Sequence, residues 1–271
     1  MSSGITFLRD PALAFFEAKT CDTAQQPVCY RKHFHEEWSI GVIDAGETRM
    51  WCDGQNLLAR RGNLVVIPPF VPHACSPAED RGWRYKMLFV RSDWMKDAIG
   101  AAETVRPPFI QENARAALLL SRICEGLASG SGSLESESLA IRLASAALQT
   151  NRADSERPDN RHLSAPAIAN LRRARDYIHD HYAANFTLAD LERISGIGKF
   201  ALIRSFNKEF KLPPHAYQNM LRINFAKMEL NRRRPIAEIA QEAGFYDQSH
   251  FTKLFKQCVG VTPQRYSAQR A

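Results

Sequence analysis

Two sets of side chains in this sequence have the types and spacing to do chemistry. The first is His33-x-His35 with Glu37 two residues on, followed by His73 at the end of the apolar run Gly62-Asn-Leu-Val-Val-Ile-Pro-Pro-Phe-Val-Pro-His73. On an extended strand, residues i, i+2 and i+4 share a face, so His33, His35, Glu37 and Ser39 would point the same way. Three imidazoles, His33, His35 and His73, could hold zinc, iron or nickel, with Glu37 offering a carboxylate. The same polar groups, together with Trp51, Trp83 and Tyr85, could instead line a pocket for a small organic molecule. A third reading has the histidines satisfied by neighbouring carbonyls and the tryptophans as ordinary core. The second set lies near the C-terminus: Lys199, Phe200, Ile203 and Arg204, then Gln248, Ser249, Thr252 and Lys253. Such groups can pair with base edges in a major groove, while Phe or Ile can pack on a thymine methyl.

The second set sits on an internal repeat. Thr187-Leu-Ala-Asp-Leu191 with Gly196-Ile197 recurs 48 residues later as Pro235-Ile-Ala-Glu-Ile239 with Gly244-Phe245. After one inserted residue, Leu202-Ile-Arg-Ser-Phe206 matches Phe251-Thr-Lys-Leu-Phe255, and Pro214-His-Ala-Tyr217 matches Pro263-Gln-Arg-Tyr266. Each copy is a short helix, a glycine-containing turn and a second helix, which is helix-turn-helix anatomy. Burial of Leu188 and Leu191 against Leu202 and Phe206, or of Ile236 and Ile239 against Phe251 and Phe255, leaves the eight residues above on the outer face. Helical periodicity with Gly and Pro stops predicts seven helices: Arg172–Tyr182, Leu188–Ser195, Lys199–Phe210, Pro214–Arg232, Ile236–Ala243, Gln248–Val259 and Pro263–Arg270. Held about 34 Å apart by the long Pro214 helix, two such readers would enter successive major grooves.

The histidine set needs a different scaffold. Between residues 28 and 90, short runs rich in β-branched and aromatic residues alternate with turn signals, which predicts an antiparallel sandwich or barrel. Asn113 to Gln149 then reads as a helical hairpin around Ser129-Gly-Ser-Gly-Ser133, which either finishes the core or offers a face to a second subunit. Thr150 to Pro166 is polar, carries two prolines and reads as a linker. The organisation is therefore two-domain α+β: a β-rich domain with a helical hairpin over 1–150, a linker over 151–166 and an all-α domain over 167–271.

Charge divides the same way. The 271 residues carry a net +7, but residues 1–160 are net −2 and residues 161–271 net +9. A surplus confined to the helical half is the footprint of a polyanion-binding module, since each neutralised phosphate releases condensed counterions. A hydrophobic content of 45% excludes intrinsic disorder, and no stretch approaches the roughly 20 apolar residues of a membrane span. The N-terminus lacks the basic start, apolar core and cleavage site of a signal peptide, and the six cysteines form no CxxC pair. Reduced thiols in a cytoplasm, with no membrane partner, are the expectation.

From about Leu171 to Gln269 the chain resembles the AraC/XylS family of transcription regulators. The carrying stretch is Pro235-Ile-Ala-Glu-Ile-Ala-Gln-Glu-Ala-Gly-Phe-Tyr-Asp-Gln-Ser-His-Phe-Thr-Lys-Leu-Phe-Lys256 with Gly260-Val-Thr-Pro-Gln-Arg-Tyr266, and Arg222, Ala226 and Leu230 match the family's connecting helix. The first copy departs from the pattern at Glu192, Ser195 and Gly198, where small residues and a Ser N-cap are usual. The first half resembles a cupin barrel, although Ser39 and Ile40 stand where the enzyme cupins carry a metal-binding Glu. These resemblances imply a double-stranded-DNA-binding regulator, a small-molecule effector in the barrel, a homodimer through 113–149, and contact with RNA polymerase if it activates. The alternatives they leave are a metal-binding cupin sensor and a cupin enzyme, such as a metal-dependent dioxygenase or isomerase, with a DNA-binding tail.

Overall fold

Period-two alternation in the first half becomes two antiparallel sheets in the computed structural model, which describes residues 4–23, 28–78, 82–99, 109–130, 133–149 and 165–269. The strands are β1 (Gly4–Leu8), β2 (Phe16–Asp22), β3 (Trp38–Ala45), β4 (Glu47–Cys52), β5 (Gln55–Arg60), β6 (Asn63–Ile67), β7 (His73–Pro77), β8 (Arg84–Val90) and β9 (Phe109–Glu112). One sheet runs β1-β2-β8-β3-β6-β9 and the other β5-β4-β7. No strand pairing among the described residues closes them into a barrel.

The large sheet has two buried faces. Register pairs Ala18 with Leu88, Ile40 with Leu88 and with Val66, and Val42 with Leu64, so these side chains share one face. Against that face pack α2 (Ala114–Ser129), through Leu119, Leu120, Ile123 and Leu127, and α3 (Ser133–Gln149), through Leu139, Leu143, Ala144 and Ala147. The hairpin thus finishes the core, while Leu118 and Leu134 on it stay exposed. Asn113 caps α2 by accepting from the Ala116 N–H, and Gly130 ends it in the left-handed region. A further helix, α1 (Ser92–Ile99), has no counterpart in the sequence reading. The opposite face of the sheet carries Glu17, Lys19, Cys21, Ser39, Tyr85 and Phe89, and it is the face that holds the histidine site.

The helical half follows its predicted stops. Its elements are α4 (Ala165–Asp180), α5 (Leu188–Ser195), α6 (Lys199–Phe210), α7 (Pro214–Asn231), α8 (Ile236–Glu242), α9 (Gln248–Val259) and α10 (Pro263–Ala268). Helix α4 begins inside the expected linker, the rest of which lies outside the described residues. Two compact units result. One holds the described residues from Gly4 to Gln149 together with Lys256–Gln269, and the other those from Ala165 to Phe255. The closing segment of the repeat thus packs with the sheets, an arrangement that chain order does not predict. No helix among the described residues is long and apolar enough to cross a membrane. All six cysteines are free thiols.

Candidate nucleic-acid interface and effector site

The histidine site is assembled from two segments. His33 and His35 were expected on a strand, but β3 begins only at Trp38, and they lie in an extended segment joined to β7 by a single bridge, His33 to His73. Reciprocal backbone bonds, His33 N–H to His73 O at 2.9 Å and His73 N–H to His33 O at 2.8 Å, hold that bridge. The three rings converge, with centroids 4.3 Å apart for His33 and His73, 4.7 Å for His33 and His35, and 5.1 Å for His35 and His73. One nitrogen from each of the three lies within 4.8 Å of the others, and Glu37 is not part of the group.

Two of these rings are oriented from behind. Nδ1 of His33 lies 2.7 Å from the Arg31 carbonyl and Nδ1 of His73 lies 2.9 Å from the Val71 carbonyl. A carbonyl oxygen only accepts, so each Nδ1 carries the proton and each Nε2 of the neutral ring keeps its lone pair. Burial lowers the His73 pKa to about 4, so that ring is neutral near pH 7.

Around the rings the sheet supplies groups that sequence reading missed. Lys19 on β2 is buried, and its ammonium donates to Tyr30 Oη and to the Val259 carbonyl, each at 3.0 Å. Tyr85 donates to Tyr30 Oη at 2.8 Å, and burial raises both phenols well above their ordinary pKa. Burial also pushes the Cys75 thiol up to about 12, so it is protonated and inert as a nucleophile. The available signal is a charged residue alternating with apolar ones in Phe16-Glu-Ala-Lys-Thr-Cys21. It goes unread because the strand expectation starts only at residue 28.

The aromatic candidates divide. Trp83 and Tyr85 are buried and stacked, with centroids 4.2 Å apart, and the Trp83 indole N–H finds no partner among the described residues. Trp51 does not join them. On β4 it alternates with Met50 and Cys52, which pair with Cys75 and His73, so its ring is on the other face, under the Lys32 ammonium at 3.5 Å.

In the helical half the repeat sorts its side chains as an outward-reading pair requires. Leu191, Leu202 and Phe206 are buried in the first copy, and Ile239, Phe251 and Phe255 in the second. Leu188 and Ile236, expected to share that packing, are not buried: each stands at the first position of its helix, and Leu188 is 38% exposed. Lys199, Phe200, Arg204, Gln248, Ser249 and Lys253 are exposed, with Ile203 and Thr252 half-buried. Phe200 is 78% exposed, which removes it from the core as an alternative home. Tyr246, 97% exposed in the turn before α9, and His250 on α9 share the open surface and were not singled out.

Local rules explain the two turns. In the first, Thr187 and Asp190 form a capping box on α5, and Gly196 ends that helix at φ 69°. Ser195, unusual in place of a small apolar residue, is fully buried and satisfied: it donates to the Leu191 carbonyl at 2.7 Å and accepts from the Ile197 N–H at 3.2 Å. Gly198 precedes α6 without a side-chain cap, as expected. In the second copy Asp247 accepts from the His250 N–H at 2.7 Å and opens α9. Gly244 has φ 83°, and a Cβ there would lie 2.1 Å from the Ala183 carbonyl oxygen. Arg222 on α7 donates to the carbonyls of Tyr182 at 2.7 Å and Ala184 at 3.2 Å, and its guanidinium lies 5.8 Å from the Phe245 ring. The connecting helix is thereby tied to the end of α4 and to the second turn.

Comparison with known proteins gives both halves a counterpart. Residues 22–144 match the profile of the AraC-like ligand binding domain, and residues 191–269 match a helix-turn-helix domain. The chain is 30% identical to the uncharacterized HTH-type transcriptional regulator YbfI of Bacillus subtilis, over 82% of this chain and 81% of that protein. To the arabinose operon regulatory protein of Escherichia coli it is 28% identical over 79% of this chain and 75% of that one. Among solved structures, an apo ToxT variant from Vibrio cholerae superposes with a TM-score of 0.63 at 13% identity, covering 94% of this chain and 97% of that one. Unsaturated fatty acid-bound wild-type ToxT gives a TM-score of 0.58 at 12% identity over 99% and 95%. The ToxT likeness is one of fold.

Proposed function

This chain belongs to the AraC family of HTH-type transcription regulators, a ligand-binding domain followed by a helix-turn-helix DNA-binding domain, and from that premise we propose how its own residues divide the work. Lys199, Phe200, Ile203 and Arg204 on α6 read one half-site, and Gln248, Ser249, Thr252 and Lys253 on α9 read the other. The observation that carries this assignment is the sorting of α9: Phe251, Leu254 and Phe255 are buried while Gln248, Ser249 and Lys253 are open. Tyr246 and His250 extend the same reading surface. The test is selection of duplexes from a random pool by the full chain, followed by footprinting of Arg204→Ala and Lys253→Ala. Each substitution is expected to relax discrimination at one or two base pairs and cost about 1–3 kcal/mol. Unchanged preference in both would overturn the assigned face.

The effector is a small organic molecule, held against the sheet face that carries the histidine rings, Trp83 and Tyr85. Titratable and aromatic groups gathered on one buried face support this placement. That ToxT has been solved with an unsaturated fatty acid bound agrees with a sensing role for the fold. A second copy pairs through the outer side of α2 and α3, where Leu118 and Leu134 are exposed. The regulator works in the cytoplasm, beside its DNA, and activation would proceed through RNA polymerase.

One observation favours a second reading of the histidines. Metal-binding imidazoles are commonly held by a hydrogen bond from the other ring nitrogen, and His33 and His73 have that support from the Arg31 and Val71 carbonyls. His33, His35 and His73 would then hold zinc, iron or nickel through three nitrogens, a set that leaves a coordination position open for a ligand. Elemental analysis of the purified protein and of His33→Ala and His73→Ala separates the two readings. One equivalent lost in both variants supports the metal, and a metal-free protein leaves the organic pocket.

A further inference from the structure

The sheet unit grips the end of the second reader helix. Three groups from the first half reach carbonyls in the last turn of α9 and at the end of α10. Lys19 Nζ donates to Val259 O at 3.0 Å, and the Arg31 N–H donates to Gln257 O at 3.1 Å. Arg9 donates to Tyr266 O at 3.1 Å and Gln269 O at 2.9 Å. The last carbonyls of a helix lack intrahelical donors and carry the negative end of its dipole, so cations placed there stabilise the end.

The grip is built in rather than incidental. Arg9 is paired with Glu17 at 2.8 Å, and the same carboxylate accepts from Tyr266 Oη at 3.0 and 2.9 Å. The Tyr266 ring is fully buried, edge-on to Phe7 at 4.8 Å and under the Arg9 guanidinium at 4.1 Å. Gln269 pairs with the backbone of β1, accepting from the Phe7 N–H at 3.0 Å and donating to Ile5 O at 2.9 Å. Between the two helices, Gly260 lies so close to Ile5 and Tyr30 that a Cβ would come within 2.8 and 3.0 Å of them.

Lys19 belongs to both the grip and the effector face. Its ammonium also donates to Tyr30 Oη, and the Tyr30 ring lies 6.1 Å from the His33 ring. We propose that Lys19 and Tyr30 are positioning residues that tie the histidine face to the C-terminal end of the reader helix α9. An effector that draws Tyr30 Oη or Lys19 Nζ toward itself then loosens the hold on Val259 and alters DNA binding. This regulation rests on the effector reading above, but the grip itself does not, so its test uses no ligand.

The experiment is amide hydrogen exchange and DNA binding on the full-length Lys19→Met and Tyr30→Phe proteins, with a duplex selected by the wild-type chain. Lys19→Met leaves the buried Val259 carbonyl without its charged donor, so its thermal midpoint is expected to fall, and the location of the loosening rather than its size is the readout. Exchange over residues 256–262 is expected to quicken at least about tenfold while β3 stays protected, because only the capped helix end loses its donor. Duplex affinity is expected to fall about fivefold with an unchanged salt slope, since Lys19 is buried and touches no phosphate. Tyr30→Phe is expected to move the same two readouts in the same direction by less. Should Lys19→Met loosen β3 as well, Tyr30→Phe, which deletes one oxygen and no charge, decides on the same readouts. Unchanged exchange over 256–262, faster exchange with unchanged affinity, or a salt slope reduced by one would each overturn the proposal.

Discussion

At Gly244 the chain turns with φ 83° against the Ala183 carbonyl, whereas at Gly196 it turns with φ 69° into open space. The same substitution therefore has two different expected outcomes. Gly196→Ala bears only the left-handed strain, about 1–2 kcal/mol. Gly244→Ala adds a clash with backbone and is expected to cost about 3 kcal/mol or more, read from chemical denaturation of the two variants side by side. His73 sets a pH dependence. Its pKa is about 4 in the fold against 6.5 for the free ring, so between these values the unfolded chain takes up a proton that the native ring refuses. The His73 contribution to stability is expected to be flat above about pH 6.5 and to fall by up to about 3 kcal/mol as pH drops to 4. His73→Gln in chelator-treated protein should flatten that limb. Residue types pointed to the three histidines, Trp83 and Tyr85 but not to Lys19 and Tyr30: Lys19 reaches this face through its strand register with β8, and Tyr30, outside any strand, reaches it through its hydroxyl's bonds to Lys19 and Tyr85.

At the scale of elements, the helices were legible and several strands were not. Stops at Gly196, Pro213-Pro214 and Gly260, together with a 3.6-residue period, delimit α5 to α10 to within a residue or two of the observed ends. Helix signals are local, carried by caps and neighbours three and four residues away. Strands β1 and β2 went unread because the partner that fixes the apolar positions of β2 is β8, more than sixty residues away in the chain. His33 and His35 show the same limit: alternation suggested a strand, but only one bridge formed. An element-scale prediction concerns α7, whose Arg222 and Gln218 both donate to the Tyr182 and Ala184 carbonyls. Arg222→Met is expected to destabilise by about 2 kcal/mol, because two carbonyls lose a charged donor. Thermal denaturation of the full chain measures it.

Over the whole molecule, the exposed Leu118 and Leu134 carry the expectation of a dimer. Light scattering on Leu118→Glu should report a monomer where the wild type reports a pair, since a buried carboxylate without a partner opposes association. The sequence by itself determined the family, the repeat and the confinement of the +9 charge to residues 161–271. These depend on local periodicity, turn residues and composition, all readable along the chain. Only the tertiary structure decided that Lys256–Gln269 packs with the sheets, that Trp51 leaves the histidine face, and that Lys19 joins that face to Val259. Each follows from strand register and from contacts between residues as much as 264 positions apart, such as Ile5 with Gln269. No local preference encodes such partners, because they are chosen by which buried donors and acceptors can satisfy one another once the chain has closed.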